Sequence, residues 1–125
     1  MAKFVRDMMT QKLITVEPDE SIANVLQLMV VHKIHSVLIS PPKGGRAWRI
    51  FAETDMLIAL NSGNNPEDVP VAAFASPVSF TARPEWTYER ALQEMINRGV
   101  KHLPVMDGNG NIVGMLSSTD ILRQY

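Results

Sequence analysis

The chain is two copies of one unit, and that duplication limits its possible folds more than any single motif does. The segment Ile14-Thr15-Val16-Glu17-Pro18-Asp19-Glu20-Ser21 aligns with Phe80-Thr81-Ala82-Arg83-Pro84-Glu85-Trp86-Thr87 at an offset of 66, which also pairs Leu26 with Leu92, Gln27 with Gln93 and Met29 with Met95. One additional residue in the first copy shortens the offset to 65, pairing Thr54-Asp55 with Thr119-Asp120 and Leu57 with Leu122. The sequence thus predicts a first repeat over 1–62, a linker over 63–70 and a second repeat over 71–125.

Each copy reads as strand, helix, strand, strand, helix. Ser21 precedes Ile22, Val25, Leu26, Met29 and Val30, and Thr87 precedes Tyr88, Ala91, Leu92, Met95 and Ile96, the spacing of one apolar helical face behind an N-capping hydroxyl. Neither cap has Glu or Gln three residues on, so no full capping box is expected there. Buried strands follow at Ser36 to Ile39 and His102 to Met106. Turn-rich stretches come next, Pro41-Pro42-Lys43-Gly44-Gly45 and Asp107-Gly108-Asn109-Gly110-Asn111, then second strands at Trp48 to Ala52 and Ile112 to Leu116. Thr54 and Thr119 are expected to cap the closing helices. A half of this kind leaves an apolar surface bare, so the two copies are expected to cover each other as a pseudo-twofold pair.

Composition removes several classes of function. The 125 residues include no cysteine, which excludes thiol nucleophiles and redox pairs, and 12 Lys+Arg against 13 Asp+Glu give no general field for a nucleic-acid backbone. No apolar run approaches the roughly 20 residues of a membrane span, and no signal sequence is legible, so no membrane association and a cytoplasmic location are expected. His32, His35 and His102 have no carboxylate or cysteine at ligand spacing, so no metal site is expected. The methionines read as core filler and Trp86 as a loop residue covering the core.

The most informative local stretch is Gly114-Met115-Leu116-Ser117-Ser118-Thr119-Asp120, a strand running through a hydroxyl-rich corner into a helix start. Open first-turn amides and the Ser117 and Ser118 hydroxyls suit an anion, a carboxylate at Asp120 suits a ribose diol, and Gly114 lets another group approach the backbone. The plainer reading is a capped helix with an exposed acidic residue in its first turn, worth about 0.3–1 kcal/mol through the dipole.

In its order of motifs the chain resembles the CBS domain, named for cystathionine β-synthase, over nearly its whole length. The family's closing motif runs Gly, hydrophobic, any residue, Thr or Ser, two of any kind, Asp, and Gly114, Ser117 and Asp120 match it. Asp7-Met8-Met9-Thr10 is similar to the family's opening, Ser21 to Met29 to its helix, and Lys101-His102-Leu103-Pro104-Val105 to the beginning of its strand. The resemblance implies a tandem pair, or Bateman module, of α/β (α+β) class: two βαββα repeats with small three-stranded sheets covered by helices.

It also implies a regulatory module that binds adenosine-containing ligands such as AMP, ADP, ATP or S-adenosylmethionine in clefts between the repeats. In the cleft of the intact motif Asp120 would hold the ribose and Ser117 the phosphate or ribose edge, with Ser118 and Thr119 beside them. The adenine would lie along Ile14, Thr15 and Val16, and His35 and Lys33 near the phosphates. The first repeat departs from the motif: Asp55 is kept, but Arg49 stands in place of Gly and Ala52 in place of the hydroxyl. A weaker second cleft would then comprise Asp55, the cations Arg98, Lys101 and His102, and a border of Ser79, Phe80 and Thr81. It would take a more highly charged ligand or stay empty.

No catalytic residues and no catalytic cofactor are expected: there is no Ser-His-Asp set, paired-carboxylate site or phosphate-binding loop with its lysine. The output is expected to reach a protein partner, either in trans or through a missing effector domain of a longer chain. A homodimer is expected, with Met8, Met9, Met56, Leu57 and Leu60 as candidate contact residues. Two alternatives stay open, an S-adenosylmethionine or NADH binder and a ligand-free structural dimerisation module.

Overall fold

The computed structural model describes residues 3–43, 45 and 47–125; Gly44 of the predicted turn lies outside the described residues, as do Met1, Ala2 and Arg46. In chain order the elements are α1 (Val5–Met8), β1 (Thr15–Val16), α2 (Ile22–His32), β2 (Ser36–Ile39), β3 (Arg49–Ala52), α3 (Glu53–Asn61), a 3₁₀ turn (Val71–Ala73), β4 (Ser76–Pro77), α4 (Tyr88–Arg98), β5 (His102–Met106), β6 (Ile112–Ser117) and α5 (Ser118–Leu122). The chain packs as two units, one over Ile14–Val78 and one over Met1–Leu13 with Ser79–Tyr125.

The Ile14–Val78 unit holds a four-stranded sheet in the order β1-β2-β3-β4, one strand more than the repeat predicts. β1 runs parallel to β2, β2 and β3 form an antiparallel hairpin, and β4 closes the edge with Ile50 opposite Ser76. The fourth strand comes from the chain after the first copy, whose 3₁₀ turn packs Val71 into the same core as Val25, Val37, Ile39 and Phe51. Ser21 caps α2 as predicted, its hydroxyl accepting from the Asn24 amide at 3.1 Å. The helix ends at Lys33 in the left-handed region at φ 54°, where the second copy has Gly99 at φ 65°.

The other unit repeats this plan with thinner edges. β5 and β6 pair over their length, while the counterparts of β1 and β4 are single bridges, Ala82 to Val105 and Thr10 to Met115. Short, twisted edge segments offer too few successive N–H and C=O groups for a continuous ladder, so only one pair closes at each edge. Thr87 caps α4, accepting from the Arg90 amide at 3.3 Å. Here the covering element is α1, which places Val5 and Met8 in a core with Ala91, Met95, Leu103 and Leu116. Each unit is therefore closed by the segment that leads into the other copy in sequence, 71–77 for the Ile14–Val78 unit and 5–10 for the unit that holds Ser79–Tyr125. Met8 and Met56, expected at a dimer surface, are core residues at 8% and 5% exposure, because both lie on the inner face of their helices.

The caps of the closing helices differ from expectation. Thr54 and Thr119 lie inside α3 and α5, and the capping residues are Ala52 and Ser117. At α5 a reciprocal box forms: Ser117 Oγ accepts from the Asp120 amide at 3.1 Å and Asp120 Oδ2 from the Ser117 amide at 2.9 Å. Ser117-x-x-Asp120 has the spacing for it, and a carboxylate three residues into the helix reaches back to the cap amide better than a hydroxyl two residues in. At α3 Ala52 has no side-chain acceptor, so only the Asp55 half exists, at 2.8 Å to the Ala52 amide.

Candidate functional site

In each unit the corner that begins the inner strand adjoins the corner where the hairpin runs into its closing helix. In the Ser79–Tyr125 half, the Ser118 amide donates to the Lys101 carbonyl at 2.9 Å and His102 stands opposite Ser117 in the β5–β6 register. In the first repeat the Glu53 amide donates to the His35 carbonyl at 3.1 Å and Ser36 stands opposite Ala52. The same backbone frame thus carries two different chemistries.

The second-repeat corner presents the hydroxyls of Ser117 and Ser118 beside Lys101 and His102. Its amides are less open than the sequence suggests, since those of Ser117, Ser118 and Asp120 all donate within the corner. α5 is only five residues long, so the dipole adds little and an anion would rely on side-chain donors. Ser117 Oγ accepts through one lone pair and keeps its own proton to give. Asp120 was expected to be exposed, but it is 6% exposed: its carboxylate spans the Ser117 amide and Arg123 Nη1, the latter 3.3 Å from Oδ1. A carboxylate has about four acceptor sites, so two such donors leave capacity for a diol.

The first-repeat corner is acidic. Glu53 and Asp55 occupy the first turn of α3, and the Nδ1–H of His35 donates to Glu53 Oε1, which leaves His35 Nε2 as its outward nitrogen. Lys33 lies two residues before His35, exposed, on the left-handed turn. Along β1, Val16 turns into the core at 8% exposure and Ile14 packs against that core, so Thr15 is the strand's exposed side chain. Ile14, Thr15, Val16, Lys33, His35 and Asp55 belong to one unit, and Ser79, Phe80, Thr81, Arg98, Lys101, His102 and Ser117 to Asp120 to the other.

The cations proposed for the weaker cleft are not equivalent. The Arg98 guanidinium lies 3.4 Å from the Phe80 ring centroid, and its Nε donates to Glu94 Oε2 at 3.0 Å, so the exposed face of Phe80 already carries a cation. Arg90 stacks on Trp86 at 4.0 Å in the same way. Tyr88, at the start of α4, is held above its usual 10.0 chiefly by its hydrogen bond with the Tyr125 side chain, with burial adding to it. Among the described residues no group of three or more His, Cys, Asp or Glu is placed to hold a metal ion, and no helix is long and apolar enough to cross a membrane.

Glycine at 114 and arginine at 49 now have physical reasons. A Cβ on Gly114 would lie 2.5 Å from Met9 Sδ and 3.2 Å from the Thr10 carbonyl oxygen, so the group approaching this backbone is the chain's own segment 9–10. At the equivalent place in the first repeat, Arg49 Nη2 donates to the carbonyls of Ala72 at 2.6 Å and Ala75 at 3.3 Å, fastening the segment that closes that unit. Neither contact has a signal in local periodicity. Gly114→Ala is expected to cost about 1–3 kcal/mol by overpacking. Adding Met9→Ala should recover part of that loss, and chemical denaturation of the two single variants and the double variant measures it.

Comparison with known proteins gives one consistent result. The sequence pattern of the CBS domain matches residues 5–62 and 71–125. An uncharacterized protein of Methanopyrus kandleri is 28% identical over 120 residues, covering 95% of this chain, and the chain spans only 61% of that relative's length. The hexameric CBS-CP12 protein from bloom-forming cyanobacteria superposes with a TM-score of 0.86 at 22% identity, over 95% of this chain and 69% of that one. The CBS domain pair of protein MJ0100, solved in complex with 5′-methylthioadenosine and S-adenosyl-L-methionine, superposes with a TM-score of 0.82 at 21% identity, over 97% and 98%. At these identities the structural likeness is one of fold.

Proposed function

The chain belongs to the CBS domain family as a tandem pair, and from that premise we propose that it is a non-catalytic regulatory module that binds a phosphorylated adenosine of the AMP, ADP or ATP type and passes the occupancy to a protein partner. The observation that carries this reading is the asymmetry of the two corners. The second repeat keeps Gly114, Ser117 and Asp120 and sets two hydroxyls beside Lys101 and His102, while the first keeps Asp55 but has Arg49, Ala52 and Glu53 where the second has Gly114, Ser117 and Ser118. Hydrogen bonds between cationic donors and phosphate are roughly twice as strong as neutral ones, which supports assigning the phosphate to the second-repeat corner. The Asp120 carboxylate takes the ribose hydroxyls, with Ser118 and Thr119 alongside.

An adenosine-containing ligand is supported in kind by the MJ0100 pair, which was solved with two of them. S-adenosylmethionine carries a sulfonium cation where a nucleotide carries phosphate, and Lys101 and His102 favour the anion. We assign the module a homodimeric state, on the large apolar side chains its helices leave exposed, among them Val30, Leu57, Ile58, Ile96 and Leu122. Regulation requires that the ligand prefer one arrangement of the assembly over another, since equal affinity for both shifts nothing.

The test is a thermal-shift series with adenosine, AMP, ADP, ATP, NADH and S-adenosylmethionine. A ligand at 100 times its dissociation constant adds about 2.7 kcal/mol of stability, a clear rise in Tm. The phosphorylated adenosines should raise Tm and adenosine should not. A shift with S-adenosylmethionine alone would replace the proposed ligand, and no shift with any of them would leave the structural dimerisation module as the better reading.

A further inference from the structure

Both repeats fold on one frame, so a feature that only one of them carries is not required by the fold. The chain has eight methionines and no cysteine, so a thioether is its only oxidisable sulfur and no thiolate competes for an oxidant. Among the described residues Met8, Met29, Met56, Met95 and Met115 are buried, while Met9 and Met106 are half-buried. Of these two it is Met9 that packs against a core, that of the unit holding Ser79–Tyr125. Its thioether fills the space over Gly114, where a Cβ would lie 2.5 Å from Sδ and 2.9 Å from Cγ. The next residue, Thr10, is paired with Met115 by two backbone hydrogen bonds, the amide of each donating to the carbonyl of the other at 2.9 Å. At the equivalent place in the first repeat stand Ala75 and Arg49, joined by a hydrogen bond from Arg49 Nη2 to the Ala75 carbonyl at 3.3 Å, and neither carries sulfur.

We propose that Met9 is a modification site, at which a hydroperoxide converts the thioether to the sulfoxide and the product releases residues 9 and 10 from β6. A sulfur lone pair attacks the outer oxygen of the peroxide, and the S–O bond forms as the O–O bond breaks. Sulfur loses two electrons, and the proton of the transferred hydroxyl passes to the oxygen left behind, giving water or an alcohol. The product is polar and accepts hydrogen bonds, whereas the contact with Gly114 is apolar. On the Gly114 side there is no room for an added oxygen, since even a Cβ is excluded there. The Met115 amide at this edge is already taken by the Thr10 carbonyl, and a sulfoxide oxygen without a donor is better hydrated than buried. It therefore turns outward to water, and residues 9 and 10 move with it, opening the Thr10–Met115 bridge. The guanidinium–carbonyl contact of the first repeat is inert to peroxide, so the response belongs to one unit.

The experiment exposes the full chain to hydrogen peroxide and follows each methionine by peptide mass, with melting curves and hydrogen exchange on the same samples. Met9 should gain oxygen about tenfold faster than Met29, Met56, Met95 or Met115, because oxidation follows exposure. Tm should fall by on the order of 5 °C. The Thr10 and Met115 amides should exchange faster, and methionine sulfoxide reductases acting on both epimers should reverse both changes. Met9→Leu conserves volume, so it should melt like the parent before treatment and show neither change after it. Oxidation of Met9 no faster than that of the buried methionines overturns the site. A fall in Tm that persists in Met9→Leu transfers the effect to another methionine and overturns it equally. Sulfoxide at Met9 with unaltered exchange at Thr10 and Met115 overturns the release.

Discussion

Asp120→Asn is expected to weaken binding of AMP or ATP tenfold or more, while Asp55→Asn leaves it within about twofold. Each charge-assisted hydrogen bond lost to a ribose hydroxyl costs on the order of 1.5–3 kcal/mol, and about 1.4 kcal/mol is already a factor of ten. Asparagine is the informative substitute because its amide oxygen can still accept from the Ser117 amide, which Asp120 Oδ2 does at 2.9 Å. Alanine removes the acceptor altogether. Since Asp120 is 6% exposed and completes the box with Ser117, Asp120→Ala should also destabilise the fold by about 1–2 kcal/mol, more than an exposed first-turn carboxylate would. Isothermal titration calorimetry beside a denaturation curve for each variant separates the two effects. Parent-like affinity in Asp120→Asn with loss in Asp55→Asn would move the working site to the first-repeat motif.

Arg49→Met is expected to destabilise the protein by about 3 kcal/mol and to free the segment between α3 and β4. The side chain's Nη2 bonds to the Ala72 and Ala75 carbonyls tie β3 to the 3₁₀ turn that closes the Ile14–Val78 unit, and hydrogen bonds from a charged donor are worth about 1.5–3 kcal/mol each. Methionine keeps the apolar stem and loses both donors, leaving two carbonyls without that partner. For a chain of this size the loss corresponds to a Tm lower by on the order of 10 °C. Limited proteolysis should cut the variant within 63–75 before the parent. Arg49→Gly, which restores the family residue, should be no better, because glycine gives neither donor. A melting point within a degree or two of the parent's would show that Val71 and its neighbours hold the segment without Arg49.

The sequence by itself determined the duplication, the membership of each copy in one repeated plan, and the positions of α2 and α4 with their Ser21 and Thr87 caps. These are readable because period, capping hydroxyls and the offset between copies are local or self-referential. The inner strands at Ser36–Ile39 and His102–Met106 were legible for the same reason, as was the loss of Gly and hydroxyl from the first motif. Only the tertiary structure decided which segment closes which unit, because β4 and α1 are too short to carry a periodic signal and their pairing depends on partners far along the chain. It decided that Gly114 accommodates Met9, that Arg49 fastens the 71–77 segment, and that Arg98 is spent on Phe80 and Glu94. It also buried Asp120, whose spacing from Ser117 was visible in the sequence but whose exposure was not: burial is set by what the rest of the chain lays over a residue, and no local pattern records that.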